Sequence, residues 1–183
     1  MSRPTIVYHT AASLDGFVAD PDGGVDWLSA VDQEGVAEGE QEDHGYHAFY
    51  DSIEALVMGR RTYDFVVGAV EEWPYPGKPA HVLTSRAITS PWKEVVVSSA
   101  TPAATVAALG AEGHGRLWLV GGGELAGSFL RAGLVDELHV TWIPVTIGRG
   151  RPLFGDEGAR GSFELVSSKA YPTGAVAVRY CRK

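Results

Sequence analysis

Cysteine is almost missing from this chain. Cys181 stands alone, so no internal disulfide can close, and a zinc site built from cysteines is argued against on the same ground. Long apolar runs are missing too: no stretch approaches the ~18 apolar residues needed to span a bilayer. The opening residues Met1–Thr10 hold no apolar segment with a cleavage site of the kind that marks a secreted chain. A cytoplasmic address is the expectation. Positive charge is also short, with fifteen Lys and Arg against twenty-three Asp and Glu and a formal net charge of −8. That balance argues against a general binder of nucleic acid or of anionic membrane. An anionic ligand would have to be held by local arginines and backbone amides. No repeat, low-complexity tract or linker divides the 183 residues, which are expected to form one domain, residues 1–183, with a substantial core.

What the chain does have is one organising stretch, Leu117–Leu130. Leu117–Val120 is an apolar run suited to a strand buried on both faces. Three glycines follow, Gly121, Gly122 and Gly123. Glu124–Leu130 then sets Leu125, Phe129 and Leu130 on one helical stripe. Strand, glycine turn and helix start together bring bare backbone N–H groups and the positive end of a helix toward a phosphate. Glu124 suits the first helical turn but sits awkwardly beside an anion. Gly121, Gly123 and Ala126 also fit the spacing of a Rossmann dinucleotide fingerprint. Three readings stay open at this point: a plain tight turn, a Rossmann unit, and a phosphate turn in another α/β fold.

A second element of the same kind lies upstream. Ala55–Met58 reads as a buried strand, and Gly59, Arg60, Arg61 and Thr62 break it into a helix start. Thr62 is expected as an N-cap or first-turn hydroxyl, and Gly59 allows close backbone approach. Arginine beside a helix start grips phosphate with two bonds. A third strand, around Val82 and Leu83, ends in Thr84, Ser85 and Arg86, two hydroxyls and a guanidinium. Thr5–Thr10 reads as a first strand, and Ser13–Trp27 as a long loop lying over something. Glu42–Ser52 is expected as a helix with an aromatic face, Phe49 and Ile53 packing into the core. Ser99–Ala111 is a further helix with Thr101 and Pro102 at its start. Strands are expected at Val95–Val97 and Glu137–Ile143, then a glycine-rich return, Val145–Phe154. Alternating Phe163, Leu165, Val176, Val178 and Tyr180 around the turn 171–174 predict a C-terminal hairpin at a sheet edge.

The segment Val57–Tyr63, the turn Gly121–Gly123 and the strand end Thr84–Arg86, in that order, resemble the dihydrofolate reductase superfamily. Ala12–Phe17 and Gly122–Leu138 resemble one branch more closely, the reductase domain of riboflavin-biosynthesis proteins. The resemblance implies a three-layer α/β/α fold with a mostly parallel central sheet and a C-terminal antiparallel hairpin. It implies NADPH as cofactor and hydride transfer to a small heterocyclic or carbonyl substrate, pterin-like or ribosylaminopyrimidine-like. Gly59, Arg60, Arg61 and Thr62 would face the phosphates from one helix start, and Gly121, Gly122, Gly123, Glu124 and Leu125 from the other. Thr84, Ser85 and Arg86 would read the 2′-phosphate. Ser13, Asp15 and Trp27 of the covering loop, with Tyr46 and His47, would touch the substrate. Asp43 takes the place of the carboxylate that orients the substrate. A homodimer is implied by the branch, and no metal is.

Two departures stand against folate itself: Lys78 follows Pro76–Gly77 where folate reductases clasp a carboxylate tail with arginine, and Ala126 replaces a tyrosine. The Asp-Asp-Pro segment of the riboflavin reductases is also missing after Thr62. A competing class is a nucleotide-binding protein without catalysis. A Rossmann dehydrogenase would need Asp136 or Glu137 to read the ribose.

Overall fold

The structure is a computed structural model and describes residues 3–29 and 45–183. Asp43 and the expected start of the first helix lie outside the described residues. The parallel strands come from the most apolar runs. These are β1 (Thr5–Ser13), β3 (Ala55–Gly59), β4 (Ala80–Leu83), β5 (Val95–Ser98), β6 (Arg116–Gly121) and β7 (Glu137–Ile143). The helices are α1 (Tyr46–Ser52), α2 (Arg60–Ala69), α3 (Pro102–Ala111) and α4 (Gly123–Arg131). The hairpin strands are β9 (Phe163–Ala170) and β10 (Val176–Arg182).

The eight-stranded sheet runs β5-β4-β3-β6-β1-β7-β10-β9. All neighbours from β5 to β7 pair in parallel, and β10 runs antiparallel between β7 and β9. This is the three-layer, mostly parallel architecture expected from the sequence, with the C-terminal hairpin at one edge.

Alternation along β1 decides which core each residue joins. Ile6 and Tyr8 face α3 and α4, packing with Leu117, Leu119, Leu109 and Phe129. Val7 faces the other side with Phe49, Ile53, Met58, Tyr63 and Trp118. Phe49 and Ile53 are therefore core residues, as their spacing predicts. A covered sheet of this kind explains why β3 and β6 read as unbroken apolar runs.

Two expectations change. The loop after β1 is not without secondary structure: Phe17–Ala19 forms β2, paired antiparallel with β8 (Arg151–Pro152), and Asp26–Leu28 is a single 3-10 turn. A three-residue strand carries no periodicity of its own, and its partner is remote in the chain. The Rossmann reading also falls. Glu137 pairs with Val7 of β1 and is taken by Arg116, whereas Gly121 closes β6 two residues beyond the Tyr8–Leu119 pair on the other side of β1, so the two residues share no strand end. Asp136 is spent on Arg3, at 2.6 Å, and on the backbone N–H of Ile6.

Candidate dinucleotide edge and neighbouring cleft

Parallel strands place their C-terminal ends on one edge, and three of those ends are neighbours. Met58 of β3 stands opposite Gly121 of β6, and Gly59 opposite Leu83 of β4. Two glycine turns and the Thr84–Arg86 segment therefore lie side by side. A β-carbon on Gly122 would stand 3.5 Å from Thr62 Oγ1, and one on Gly59 would stand 3.8 Å from Leu125 Cβ. Gly121 has φ +132°, a conformation that side chains avoid, and its peptide bond to Gly122 is cis.

Helices α2 and α4 both start at this edge, and neither has a side-chain cap. Thr62 sits in the first turn of α2 rather than capping it, and the N-cap position belongs to Gly59. Helix α3 differs, since the Thr101 hydroxyl accepts a hydrogen bond from Ala104 N there. Uncapped first turns leave backbone donors and roughly half an elementary charge at each helix start.

The charged residues divide. Arg60 pairs within its own helix, Nε donating to both oxygens of Asp64 at 2.6 and 2.7 Å. Arg61, Ser85 and Arg86 are exposed at the edge. Thr84 Oγ1 accepts from the backbone N–H of Arg86 at 3.0 Å, which folds that segment into a tight hydroxyl turn. Glu124 resolves the awkwardness noted in the sequence. Its carboxylate accepts a hydrogen bond from Asp156 N at 3.1 Å, in the loop packed against α4. The absent side chain of Gly123 serves that packing too, because a β-carbon there would stand 1.9 Å from Pro152 O.

Ser13 and Asp15 form a lock between loops. The buried Ser13 hydroxyl donates to Asp15 Oδ1 at 2.6 Å and accepts from Phe17 N. Asp15 in turn accepts from Gly148 N at 2.7 Å and from Ile147 N at 3.2 Å. The Ser13 hydrogen bond first, and the two backbone N–H groups with it, hold the Asp15 carboxyl below its ordinary range. Trp27 is buried against Ile143, Tyr171 and Ala175, pinning the far end of the loop. Lys78 donates to the carbonyl of Ile53 and lies 4.7 Å from the centre of the Tyr50 ring.

Tyr46 brings its ring against His9, Tyr50 and Trp118, while His47 is exposed on the same helix. His9 was not singled out from the sequence. Its ring stacks on Phe49 at 4.0 Å and 8° and meets His139 at 5.9 Å. Burial first, and the neighbouring His139 second, push His9 down to about 4, so it is neutral at pH 7. Glu137 accepts from both Arg116 nitrogens, at 2.7 and 2.9 Å, and contacts His139 Nε2 at 2.9 Å. The available signal was a histidine at an inward position of each of two otherwise apolar strands.

A model of the RibD C-terminal domain family matches residues 4–177. The uncharacterized protein YwjB of Bacillus subtilis strain 168 is 33% identical over 182 residues, covering 100% of this chain and 99% of that protein. YyaP of the same strain, also uncharacterized, is 25% identical, covering 98% of this chain and 96% of its own length. A crystal structure described as a candidate riboflavin biosynthesis protein from Shewanella sp. PV-4 superposes with a TM-score of 0.86 at 32% identity. It covers 98% of this chain and 99% of that one. The deaminase/5-amino-6-(5-phosphoribosylamino)uracil reductase of Thermotoga maritima shares the fold, with a TM-score of 0.71 at 15% identity. There 99% of this chain matches 57% of the longer protein.

Proposed function

The chain belongs to the RibD C-terminal domain family, and from that footing we propose that it is an NADPH-dependent reductase. It transfers a hydride to a small heterocyclic or carbonyl substrate, pterin-like or ribosylaminopyrimidine-like. The observation that carries this reading is the pair of uncapped helix starts, α2 and α4, that meet at Thr62 and Gly122 beside the Thr84–Arg86 turn. That arrangement suits a pyrophosphate between two helix ends with a further phosphate one strand away. The residues fit the group: the backbone at Gly122 is bare, and Arg61 and Arg86 are exposed at the same edge.

In this reading Gly59, Thr62 and Gly121–Gly123 give backbone and hydroxyl donors to the pyrophosphate. Thr84, Ser85 and Arg86 hold the 2′-phosphate and so favour NADPH over NADH. The reduced nicotinamide, when bound, supplies the hydride. The protein orients the two reacting rings and excludes water. The loop locked by Ser13, Asp15 and Trp27 forms the cover, and Tyr46 offers an aromatic wall beside His9. Asp43 is the proposed carboxylate that orients the substrate.

Calorimetry with NADPH and NADH, followed by NADPH oxidation at 340 nm with a dihydropterin or a ribosylaminopyrimidine, tests the proposal. One-site binding that prefers NADPH, with turnover of at least one such substrate, is expected. Absence of NADPH binding heat overturns it. Binding without turnover of any substrate would assign the edge to a non-catalytic nucleotide binder.

A further inference from the structure

Beside helix α1 the sheet carries a cleft of about 570 Å³ whose floor is drawn by strand register. One cross-strand row is His9, His139, Arg179 and Ser167, from β1 through β7 and β10 to β9. The next row is Ala11, Thr141, Ala177 and Lys169. The second row is mostly small, and this is why a hollow exists there. Phe49 and Tyr171 stand among the walls. The volume falls in the range of small-molecule sites, roughly 300–1,000 Å³.

The charges in the cleft are unevenly used. Among the described residues Glu137 is its only carboxylate, and it is already taken by Arg116 and His139. Arg179 donates from Nε to His139 Nε2 at 3.3 Å, while its Nη2 stands 3.8 Å from Glu137 and its side chain is 53% exposed, so the outer guanidinium nitrogens stay open to the cleft. Lys169 lies 4.3 Å from the centre of the Tyr171 ring, and no carboxylate pairs with it among the described residues. A β-bulge at the Arg179–Tyr180 step leaves Val166 of β9 out of register. Bulges of this kind bend a strand and re-aim the side chains beside them. One polar atom is also left without a partner: His9 Nδ1 is buried and makes no hydrogen bond among the described residues.

We propose that this cleft is a second ligand site, separate from the dinucleotide edge, for a small aromatic carboxylate. Arg179 and Lys169, one row apart on adjacent strands, take the carboxylate. The Phe49 and Tyr171 walls take the ring. Arg116, Glu137 and His139 form the fixed back wall, with Glu137 saturated so that it does not repel the anion. A cationic ligand is disfavoured, since among the described residues no carboxylate of the cleft is free to receive it. The site does not depend on whether NADPH binds elsewhere.

The test is calorimetry and tryptophan fluorescence on the full chain without cofactor, titrating benzoate, its uncharged analogue benzamide, and inorganic phosphate. Trp118 is the reporter, its ring centre 5.9 Å from that of His9. Benzoate is expected to bind saturably at one site, with benzamide at least tenfold weaker. Arg179→Gln and Lys169→Gln are each expected to weaken benzoate at least tenfold with an unchanged circular dichroism spectrum; both side chains are exposed, so neither change disturbs a core. Saturating NADPH is expected to leave benzoate affinity unchanged. No saturable benzoate binding, equal binding of benzamide, or wild-type affinity in both variants overturns the site. Phosphate binding as tight as benzoate overturns the aromatic assignment, and competition with NADPH overturns its separateness.

Discussion

Thr62 Oγ1 lies 3.5 Å from where a β-carbon on Gly122 would stand, so the first turns of α2 and α4 share one narrow space. That contact distance tolerates a methyl group but not a branched side chain lying across the gap. Gly122→Val is therefore expected to weaken NADPH at least tenfold, or about 1.4 kcal/mol, while Gly122→Ala costs much less. Calorimetry on both variants, with circular dichroism to confirm folding, measures the difference. Unchanged NADPH affinity in the valine variant would remove the turn from the binding site.

Arg86 is exposed and follows the hydroxyl of Thr84 in a tight turn. A charge-assisted hydrogen bond contributes about 1.5–3 kcal/mol, so Arg86→Ala should weaken NADPH roughly 10- to 100-fold. NADH lacks the 2′-phosphate and should lose little. Parallel titrations with the two cofactors give the answer, and an equal loss for both would cancel the 2′-phosphate role.

Gly123 has a different task from its neighbour Gly122. A β-carbon on Gly123 would stand 1.9 Å from the backbone oxygen of Pro152, which has no flexible side chain to move aside. Gly123→Ala must displace the loop or the helix, at about 1–3 kcal/mol or more. Thermal unfolding is expected to drop by roughly 2–4 °C per kcal/mol for a chain of this size. A Tm equal to wild type would show that this contact gives way freely.

The strand ends were legible because their signal is local. An apolar run followed at once by glycine marks Gly59 and Gly121 without knowledge of any partner. The lock at Asp15 was not legible in the same way, because its partners are backbone N–H groups of Ile147 and Gly148, far along the chain. The same holds for Glu124, whose awkward place beside a helix start makes sense only once Asp156 N is seen to approach it. His9, His139 and Arg179 each occupy a strand position on the same sheet face, yet their meeting in one row depends on the register of three strands. Register follows from pairing across the whole sheet, so no window of sequence contains it.

The half-buried polar group around His9 and Glu137 divides acid unfolding into two windows. The folded state keeps His9 neutral down to about 4, whereas an unfolded histidine takes up a proton near 6.5. Between these values the unfolded chain binds more protons, so stability must fall as pH drops from about 6.5 to about 4. At about 1.36 kcal/mol per unit, the loss is of order 2–3 kcal/mol. His81, also pushed down by burial, contributes in the same direction, so His9→Phe should reduce this slope rather than flatten it. Glu137 behaves differently. The hydrogen bond with His139 first, and those from Arg116 next, hold its carboxyl well below the ordinary 4.5. Its stabilisation is complete above that value and is lost only as pH falls further. Glu137→Gln should cost about 1–3 kcal/mol at pH 7, with the gap to wild type closing below pH 4.5. Urea unfolding of the three proteins at steps from pH 7 to pH 3.5 separates the two effects. A His9→Phe slope identical to wild type between pH 6.5 and 4.5 would mean that the folded protein lets His9 take its proton as freely as the unfolded chain does.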